Sequence, residues 1–598
     1  MTTNPPETTE NYLELNGNLE KLEHLTKRFV SVFNKKDEFN PAINAPGGDL
    51  WLKATQAFWQ NYSVDPSKMI TQQIKYWGEA VTNFVAMQQE FVKTQPENET
   101  QETCEDKRFA HPFWSSNPYF SFIKQQYLKN AEVMRASVAH FEGLSDVDAK
   151  RLRYFTDQVI DMMAPTNFLN TNPEALEMAV QTQGQSLLDG LENLIADLEA
   201  NEGELVVRLA DENAFVLGEN IATTKGDVVS RNRMHELIQF SPTTETVHEI
   251  PLIIFPPWIN KYYVLDLKEQ NSFVKWAVDQ GFTVFVVSWV NPDFTYDDVS
   301  LEDYITDGYL AAIDAAKSIC KSDHVNAIGY CIGGTTLALT LAYLKQRNDN
   351  SIKSATFFTT LTDFAQQGDF LPFLQDDFVD GIAAEVEKYG ILKSYVMART
   401  FSFLRSNDLI YGPAIRSYML GKAPPAFDLL YWNGDGTNLP GVMAMQYLRG
   451  LCQKNEFAQE GFSLFGTVLK LQDVDVPLFG IGCETDHIAP WKDSYRGIQQ
   501  MSSESKTFVM AQSGHIAGIV NPPSKKKYGY FKNANLQLNA DDWLKGSEFI
   551  KSSWWPFWAS WLAEHSGPQV AARVPGTKEF PALVAAPGEY VKRRLNQP

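Results

Sequence analysis

The chain has 598 residues, 44% hydrophobic and 13% aromatic, which supplies a large core and excludes a mainly disordered chain. A formal net charge of −21 argues against general binding to nucleic acid or to an anionic membrane, so any anionic substrate has to be met by a local basic patch. The length exceeds what one ordinary core spans, and more than one domain is expected.

Residues 1–10 are rich in Thr, Pro and Glu and are predicted to be disordered. From Asn11 to about Thr94 apolar residues recur three and four apart, as in Ile70–Trp77 and Val81–Val92, which predicts helix. The polar stretch Gln95–Glu102 reads as a linker or exposed loop, and helical patterning resumes from about Pro118 to Glu199. Residues 1–208 are therefore expected to form a mostly α-helical N-terminal region, and 209–598 a second domain.

That second part alternates short β-rich runs with helical stretches. Strands are predicted at Pro251–Phe255, Phe282–Trp289, Val325–Ile328, Ala355–Leu361, Val476–Gly482 and, as the last, Thr507–Ala511. Helices are predicted near Gln270–Asp279, Tyr304–Ser318 and Thr335–Ala342. Such alternation implies a parallel sheet with helices on both faces. Roughly 110 residues separate Leu361 from Val476, more than one crossover needs. The segment of about 362–475 is thus a candidate cap over the strand ends.

Five cysteines, Cys104, Cys320, Cys331, Cys452 and Cys483, are scattered without close-paired metal-ligand spacing, so they read as reduced thiols in a cytosolic protein with no metal site. Met1–Glu7 has neither the basic region nor the apolar core of a secretory signal, and no uncharged apolar run reaches membrane-spanning length. A soluble, cytoplasmic protein without a membrane span is expected.

Cys331 lies in Gly329-Tyr330-Cys331-Ile332-Gly333-Gly334, between the strand run and the helical run. A strand that turns sharply into a helix crowds its backbone, and glycines two positions either side of the turn residue relieve the crowding. This is a nucleophile elbow with sulfur in place of oxygen, although a buried and inert cysteine would show the same letters.

In an α/β-hydrolase sheet the acid follows a later strand and the histidine follows the last one. Asp486 in Cys483–Trp491 and His515 in Gln512–Gly518 stand at those places. The expected roles are Cys331 as nucleophile, His515 as base and Asp486 as the group that orients it. His487, adjacent to the acid, competes for the base role, but its place after the penultimate strand favours a supporting one. The oxyanion of acyl transfer needs aligned donors. The Ile332 N–H is one, and the loop Phe255–Lys261 supplies another near Trp258 or Ile259, because its prolines carry no N–H. A thiolate attacking a thioester makes another thioester at little cost, which keeps the acyl group activated for a second transfer if water is kept out.

Pro256–Leu267, Gly329–Thr335, Phe427–Asn433, Asp486–Ala489 and Ser513–Gly518, in this order, resemble the polyhydroxyalkanoate synthases, especially the single-subunit class I enzymes. The resemblance runs from about residue 108 to Lys592. It implies an α/β-hydrolase fold with a cap insertion and polymerisation of (R)-3-hydroxyacyl-CoA into polyester with release of coenzyme A. No cofactor is implied beyond the coenzyme A of the substrate. It further implies an acyl thioester on Cys331, a homodimer, and contact with the growing chain at the surface of cytoplasmic polyester granules. By the same matching, Asn260, Asp266, Trp432, Asn433 and His487 resemble pocket or dimer-linked residues, with packing as the plain alternative. A thioesterase or intracellular polyester depolymerase on the same fold, and a non-enzymatic granule-associated scaffold, remain competing readings. The run Lys525–Lys527 is either a solvated basic loop or a contact for coenzyme A phosphates.

Overall fold

Short runs rich in Val, Ile and Phe favour extended backbone wherever both faces are covered, and here they build a sheet of 11 strands. The computed structural model describes Leu25, Arg28 and residues 106–139, 144–201 and 205–594. The start expected to be disordered, the helical stretch expected from Asn11 to Thr94 (Leu25 and Arg28 apart) and the linker or loop expected at 95–102 lie outside the described residues. The chain divides into a helical unit, which runs to Leu209 and includes Arg399–Pro425, and a sheet-bearing unit formed by Ala210–Ala398 and Ala426–Pro598.

In the helical unit, α1 (Pro118–Ala139), α2 (Asp146–Met162), α3 (Pro173–Gln181) and α4 (Gln185–Ala200) follow one another. Ser145 caps α2 and Asn172 caps α3, each side chain accepting a backbone N–H of the first turn. Phe109, Trp114, Tyr127, Ala131, Ile160 and Ala164 form a core between the first helices, with Phe109 edge-on to Trp114 at 4.9 Å.

Arg399–Pro425 lies inside the insertion by sequence but packs in this unit. Tyr154 donates to the Phe403 carbonyl at 3.1 Å, Ser406 to Asp161 at 2.8 Å and Asn193 to the Ser417 carbonyl at 3.1 Å. Gly190 has no room for a side chain, since a Cβ there would stand 2.0 Å from the Tyr418 carbonyl oxygen. The fully buried Asp197 carboxylate accepts from the Tyr418 hydroxyl at 2.7 Å, from the Arg208 backbone at 3.2 Å and from its guanidinium. A carboxylate taken from water is tolerable only with such donors, so Asp197 joins α4 to Arg208 and to the inserted segment.

In the sheet-bearing unit the strands are β1 (Gly226–Arg231), β2 (His235–Phe240), β3 (Leu252–Phe255), β4 (Val284–Trp289), β5 (Val325–Tyr330), β6 (Ile352–Phe358), β7 (Leu478–Cys483), β8 (Lys506–Ala511), β9 (Tyr530–Lys532), β10 (Glu548–Ile550) and β11 (Val584–Ala585). Their spatial order is β10-β9-β8-β7-β6-β5-β3-β4-β2-β1-β11. From β8 to β4 neighbouring strands run parallel, and the outer strands pair antiparallel. Gly329 pairs with Phe255 on one side and Phe357 on the other, which puts Cys331 just beyond the carboxyl ends of central strands.

Two departures from the sequence expectations have plain causes. Strands β1 and β2 are missing from the hydrophobic-run reading because β2 buries polar residues. Its Glu236 accepts from the backbone N–H groups of Glu589 and Tyr590 at 2.8 and 2.9 Å and pairs with Arg231. The strand Lys506–Ala511 is not the last, since β9, β10 and β11 follow, each too short to carry a period. Among the helices that flank the sheet are α5 (Phe273–Asp279), α6 (Ala311–Cys320), α7 (Ile332–Gln346), α8 (Trp491–Gln500) and α9 (Trp555–Glu564), the last of which brings Trp555 and Trp558 against Phe273, with ring centroids 5.1 Å apart in each pair. Among the described residues no helix is long and apolar enough to cross a membrane, and no group of acidic, His or Cys side chains is arranged to hold a metal ion.

Asp197→Ala removes the acceptor shared by Arg208 and Tyr418 and should cost about 1–3 kcal/mol. Limited proteolysis is expected to cut within Arg399–Pro425 at least several-fold faster in the variant. An unchanged cleavage rate would show that the carboxylate does not hold that segment.

Candidate active site

Close backbone approach sets the geometry of the turn after β5. A Cβ on Gly329 would stand 2.4 Å from the Gly334 Cα, and one on Gly333 would stand 2.5 and 2.7 Å from the carbonyl oxygens of Phe255 and Pro256. Cys331 takes φ 53° and ψ −124° at the head of α7 (Ile332–Gln346), a backbone state that L-residues rarely adopt. Its N–H bonds the Phe358 carbonyl at 2.9 Å and its carbonyl accepts from Gly334 at 2.9 Å, so the strained residue is held on both sides. Helix α7 is fixed in turn by Tyr309, which donates to the Gly333 carbonyl at 2.6 Å, and by Thr335, which donates to that of Leu361 at 2.7 Å. The Ile332 N–H is the first of α7 and has no intrahelical acceptor.

The loop after β3 lies against this turn. Trp258 Nε1 donates to Thr336 Oγ1 of α7 at 3.2 Å, and Trp289 Nε1 to the Pro256 carbonyl at 2.9 Å. The insertion grips the loop's carbonyls: Thr437 Oγ1 donates to Trp258 O at 2.6 Å, Thr437 N to Ile259 O at 3.0 Å and Trp432 Nε1 to Lys261 O at 2.6 Å. With these oxygens taken, the loop's orientation is set by the insertion as much as by β3. Asn260 forms an isolated bridge with Gly436 in the same clamp.

His515 and Asp486 come from adjacent connections beyond β8 and β7. The connections are stitched by Thr485 N to Ser513 O at 3.0 Å. His515 Nδ1 donates to Asp486 Oδ2 at 2.7 Å, while Asp486 Oδ1 accepts the N–H groups of Ile488 and Ala489 at 2.8 and 2.9 Å. The carboxylate is wholly buried and satisfied, so its direction toward the ring is fixed. Tyr330, next to the elbow cysteine, stacks on His515 with centroids 5.6 Å apart and donates to its carbonyl at 3.2 Å. Trp554 and Trp555 donate to the carbonyls of Gly518 and Ile519 at 2.9 and 2.8 Å, anchoring the rest of the histidine connection.

Burial by itself would lower the His515 pKa. The charge of Asp486, the Cys331 sulfur and hydrogen bonds to both overcome it and push the ring up to about 10. Cys483, close by, is a contrast: burial and the Asp486 charge hold its thiol far above the usual range, which leaves it inert.

The structure thus brings Cys331, His515 and Asp486 to one point, with Ile332, Trp258 and Ile259 at its edge. His487 is half-buried beside the acid, but the ring that the carboxylate holds is that of His515. Asp266 is not part of this group. Fully buried, it accepts from Thr224 Oγ1 at 2.5 Å and Ser272 Oγ at 2.6 Å, and burial pushes its carboxyl up to about 6. Asn433 ends the helix Asp428–Asn433 that carries Trp432. Lys525, Lys526 and Lys527 are exposed on the same β8–β9 connection as His515. The motif reading missed Tyr330, the variable letter of the elbow, and Tyr447 in the insertion, whose ring packs edge-on to Trp258 at 5.5 Å. Only the elbow pattern points at the first, and no sequence signal points at the second.

The chain resembles known proteins over most of its length. Residues 105–277 match the family model for the N-terminus of poly-β-hydroxybutyrate polymerase, and 252–522 match that for the α/β-hydrolase fold. A poly(3-hydroxyalkanoate) polymerase of Methylorubrum extorquens is 43% identical over 82% of this chain and 81% of its own. Polymerase subunits of Rhizobium meliloti and Cupriavidus necator are 40% and 38% identical, each over 82% of this chain and over 80% and 83% of theirs.

A ring whose pKa rises on folding stabilises the fold fully below its ordinary 6.5 and loses that contribution as pH climbs through about 10. Asp486→Asn should weaken this dependence, seen as a flatter plot of urea midpoint against pH across that window. A variant with the wild-type slope would remove Asp486 as the source. Gly333→Ala should cost about 1–3 kcal/mol by thermal or urea unfolding, through the clash with Phe255 and Pro256. Wild-type stability would mean that the two backbones can part without cost.

Proposed function

Because the chain belongs to the poly(3-hydroxyalkanoate) polymerase family, acyltransferases with the α/β-hydrolase fold, we propose that it builds polyester from (R)-3-hydroxyacyl-CoA through an acyl thioester on Cys331. The observation that carries this reading is the His515 ring, bonded through Nδ1 to the buried Asp486 carboxylate and stacked on Tyr330, the residue before Cys331 in the elbow.

In the first step the Cys331 thiol passes its proton to His515 and its sulfur attacks the thioester carbonyl carbon, the carbon–sulfur bond to coenzyme A breaks, and the departing sulfur takes that proton from His515. The oxyanion that forms on the way is met by the N–H of Ile332 and by the loop N–H of Trp258 or Ile259. In the second step the 3-hydroxyl oxygen of the next unit attacks the acyl group on Cys331. Its proton passes to His515, an ester bond forms and the cysteine sulfur is released. Asp486 keeps the ring oriented and stabilises its charged form in both steps. Thioester chemistry of this kind needs no group beyond the coenzyme A that enters with the substrate. The same reading includes a homodimer working at the surface of a cytoplasmic polyester granule, and rests there on family membership.

Cys331→Ala is expected to lower coenzyme A release from 3-hydroxybutyryl-CoA by roughly a thousandfold or more, with no acylated peptide found at position 331 by mass spectrometry. Retained turnover would end the reading. Free 3-hydroxy acid without polymer from the wild type would replace it with hydrolysis.

A further inference from the structure

Lys261 is a charged residue of the loop beside the nucleophile, and the reaction as described gives it no part. It is 2% exposed, and its ammonium donates to the Tyr590 carbonyl at 3.4 Å and to the Arg593 carbonyl at 2.8 Å. Both acceptors are uncharged. Taking an ammonium out of water against neutral partners is costly, and an apolar side chain of similar length would fill the space without that cost. What the charge supplies in return is a fixed link between two stretches of backbone.

The far side of that link is anchored on the sheet. Glu236 of β2, wholly buried, accepts the N–H groups of Glu589 and Tyr590 at 2.8 and 2.9 Å. The Tyr590 hydroxyl donates to the Asn232 carbonyl at 2.8 Å, and β11, a few residues earlier, pairs with β1. Gly588 takes φ 88°, and a Cβ there would stand 2.4 Å from a Glu236 carboxylate oxygen, so the segment lies tight on β2. The Tyr590 and Arg593 carbonyls are therefore fixed relative to the sheet, and Lys261 ties the loop to them.

The near side of the link reaches the elbow. Phe255 O and Pro256 O fill the space beside Gly333, and Trp258 Nε1 donates to Thr336 Oγ1 of α7 at 3.2 Å. Between these anchors the carbonyls of Trp258, Ile259 and Lys261 are all taken, by Thr437 and Trp432. The N–H groups of Trp258 and Ile259, two buried residues, meet no acceptor among the described residues. Buried backbone donors are nearly always paired, so donors left free at this place call for an acceptor that arrives with the substrate. Their direction is set by the peptide planes between Trp258 and Lys261, and the ammonium holds the far end of that run.

We propose that Lys261 is a positioning residue for acyl transfer: its ammonium, hooked on the Tyr590 and Arg593 carbonyls, keeps the Trp258 and Ile259 N–H groups aimed at the oxyanion that forms on the acyl group at Cys331. The proposal rests on the acyl-Cys331 reading and adds to it the means by which the loop's donors are held in place. Donors fixed in advance lower the barrier because they need no rearrangement as charge develops, and a small misplacement forfeits much of that gain.

Alkylation of Cys331 by iodoacetamide displaces iodide and forms no oxyanion, whereas acylation by a thioester does, so the two rates report on the sulfur and on the loop separately. In the full chain, Lys261→Met removes the ammonium and keeps an apolar stem. Single-turnover acylation by 3-hydroxybutyryl-CoA, followed by mass spectrometry of the Cys331 peptide, is expected to slow by about 10- to 100-fold at saturation, with the half-saturating concentration within about threefold of wild type. Alkylation should stay within about twofold of wild type. Lys261→Gln, which keeps an amide donor, should lose only about 3- to 10-fold in acylation, and it carries the same comparison if Lys261→Met does not fold. Acylation at the wild-type rate in the variants would overturn the proposal. So would alkylation that falls in step with acylation, which would assign the ammonium to stability alone. Absence of any acyl label at Cys331 in the wild type would instead overturn the acyl-enzyme reading itself.

Discussion

Contact between two backbones governs the site. The head of α7 lies so close to the end of β3 that the carbonyl oxygens of Phe255 and Pro256 occupy the space a side chain on Gly333 would need. This contact bends the chain at Cys331 into its strained state and sets the first N–H groups of the helix beside the loop that faces them. Strain of this kind persists only where neighbours over-determine it, and here β6, Tyr309 and Thr335 all hold the turn by hydrogen bonds.

Electrostatics follow from that placement. A carboxylate, an imidazole and a thiol are brought out of water together, and each is tolerable because the others are present. Asp486 spends one oxygen on backbone N–H groups and the other on His515, so the ring cannot turn away without leaving a buried charge unpaired. Stacking by Tyr330 and the anchoring of the connection by Trp554 and Trp555 make the histidine a rigid part of the fold, although it sits on a long connection. Other buried carboxylates use their donors to join segments: Asp197 ties α4 to Arg208 and Tyr418, and Asp266 ties Thr224 to Ser272.

The insertion between β6 and β7 serves more than one purpose. Arg399–Pro425 completes the packing of the helical unit, while Trp432 and Thr437 close on the carbonyls of the loop beside the nucleophile. Lys261 in that loop is buried and donates to the carbonyls of Tyr590 and Arg593, at 3.4 and 2.8 Å, so the chain's end supports the same loop from another side. The loop that faces the nucleophile is thus positioned by residues distant from it in sequence.

The order of strand, elbow, acid and histidine is local information, and the sequence alone determined it. Glycine spacing around Cys331 reports backbone crowding, and runs of β-branched residues report strands buried on both faces. Those cues gave the parallel core and the positions of Cys331, Asp486 and His515. Pairing decided the rest. β2 buries Glu236 and Gln239, whose partners are far along the chain, and the strands after Ala511 are too short for any period to show. Tyr447 looks like any core aromatic in an irregular insertion until packing sets its ring against Trp258. The placement of a side chain supplied by a segment with no repeating pattern depends on contacts across the fold, and only the tertiary structure contains them.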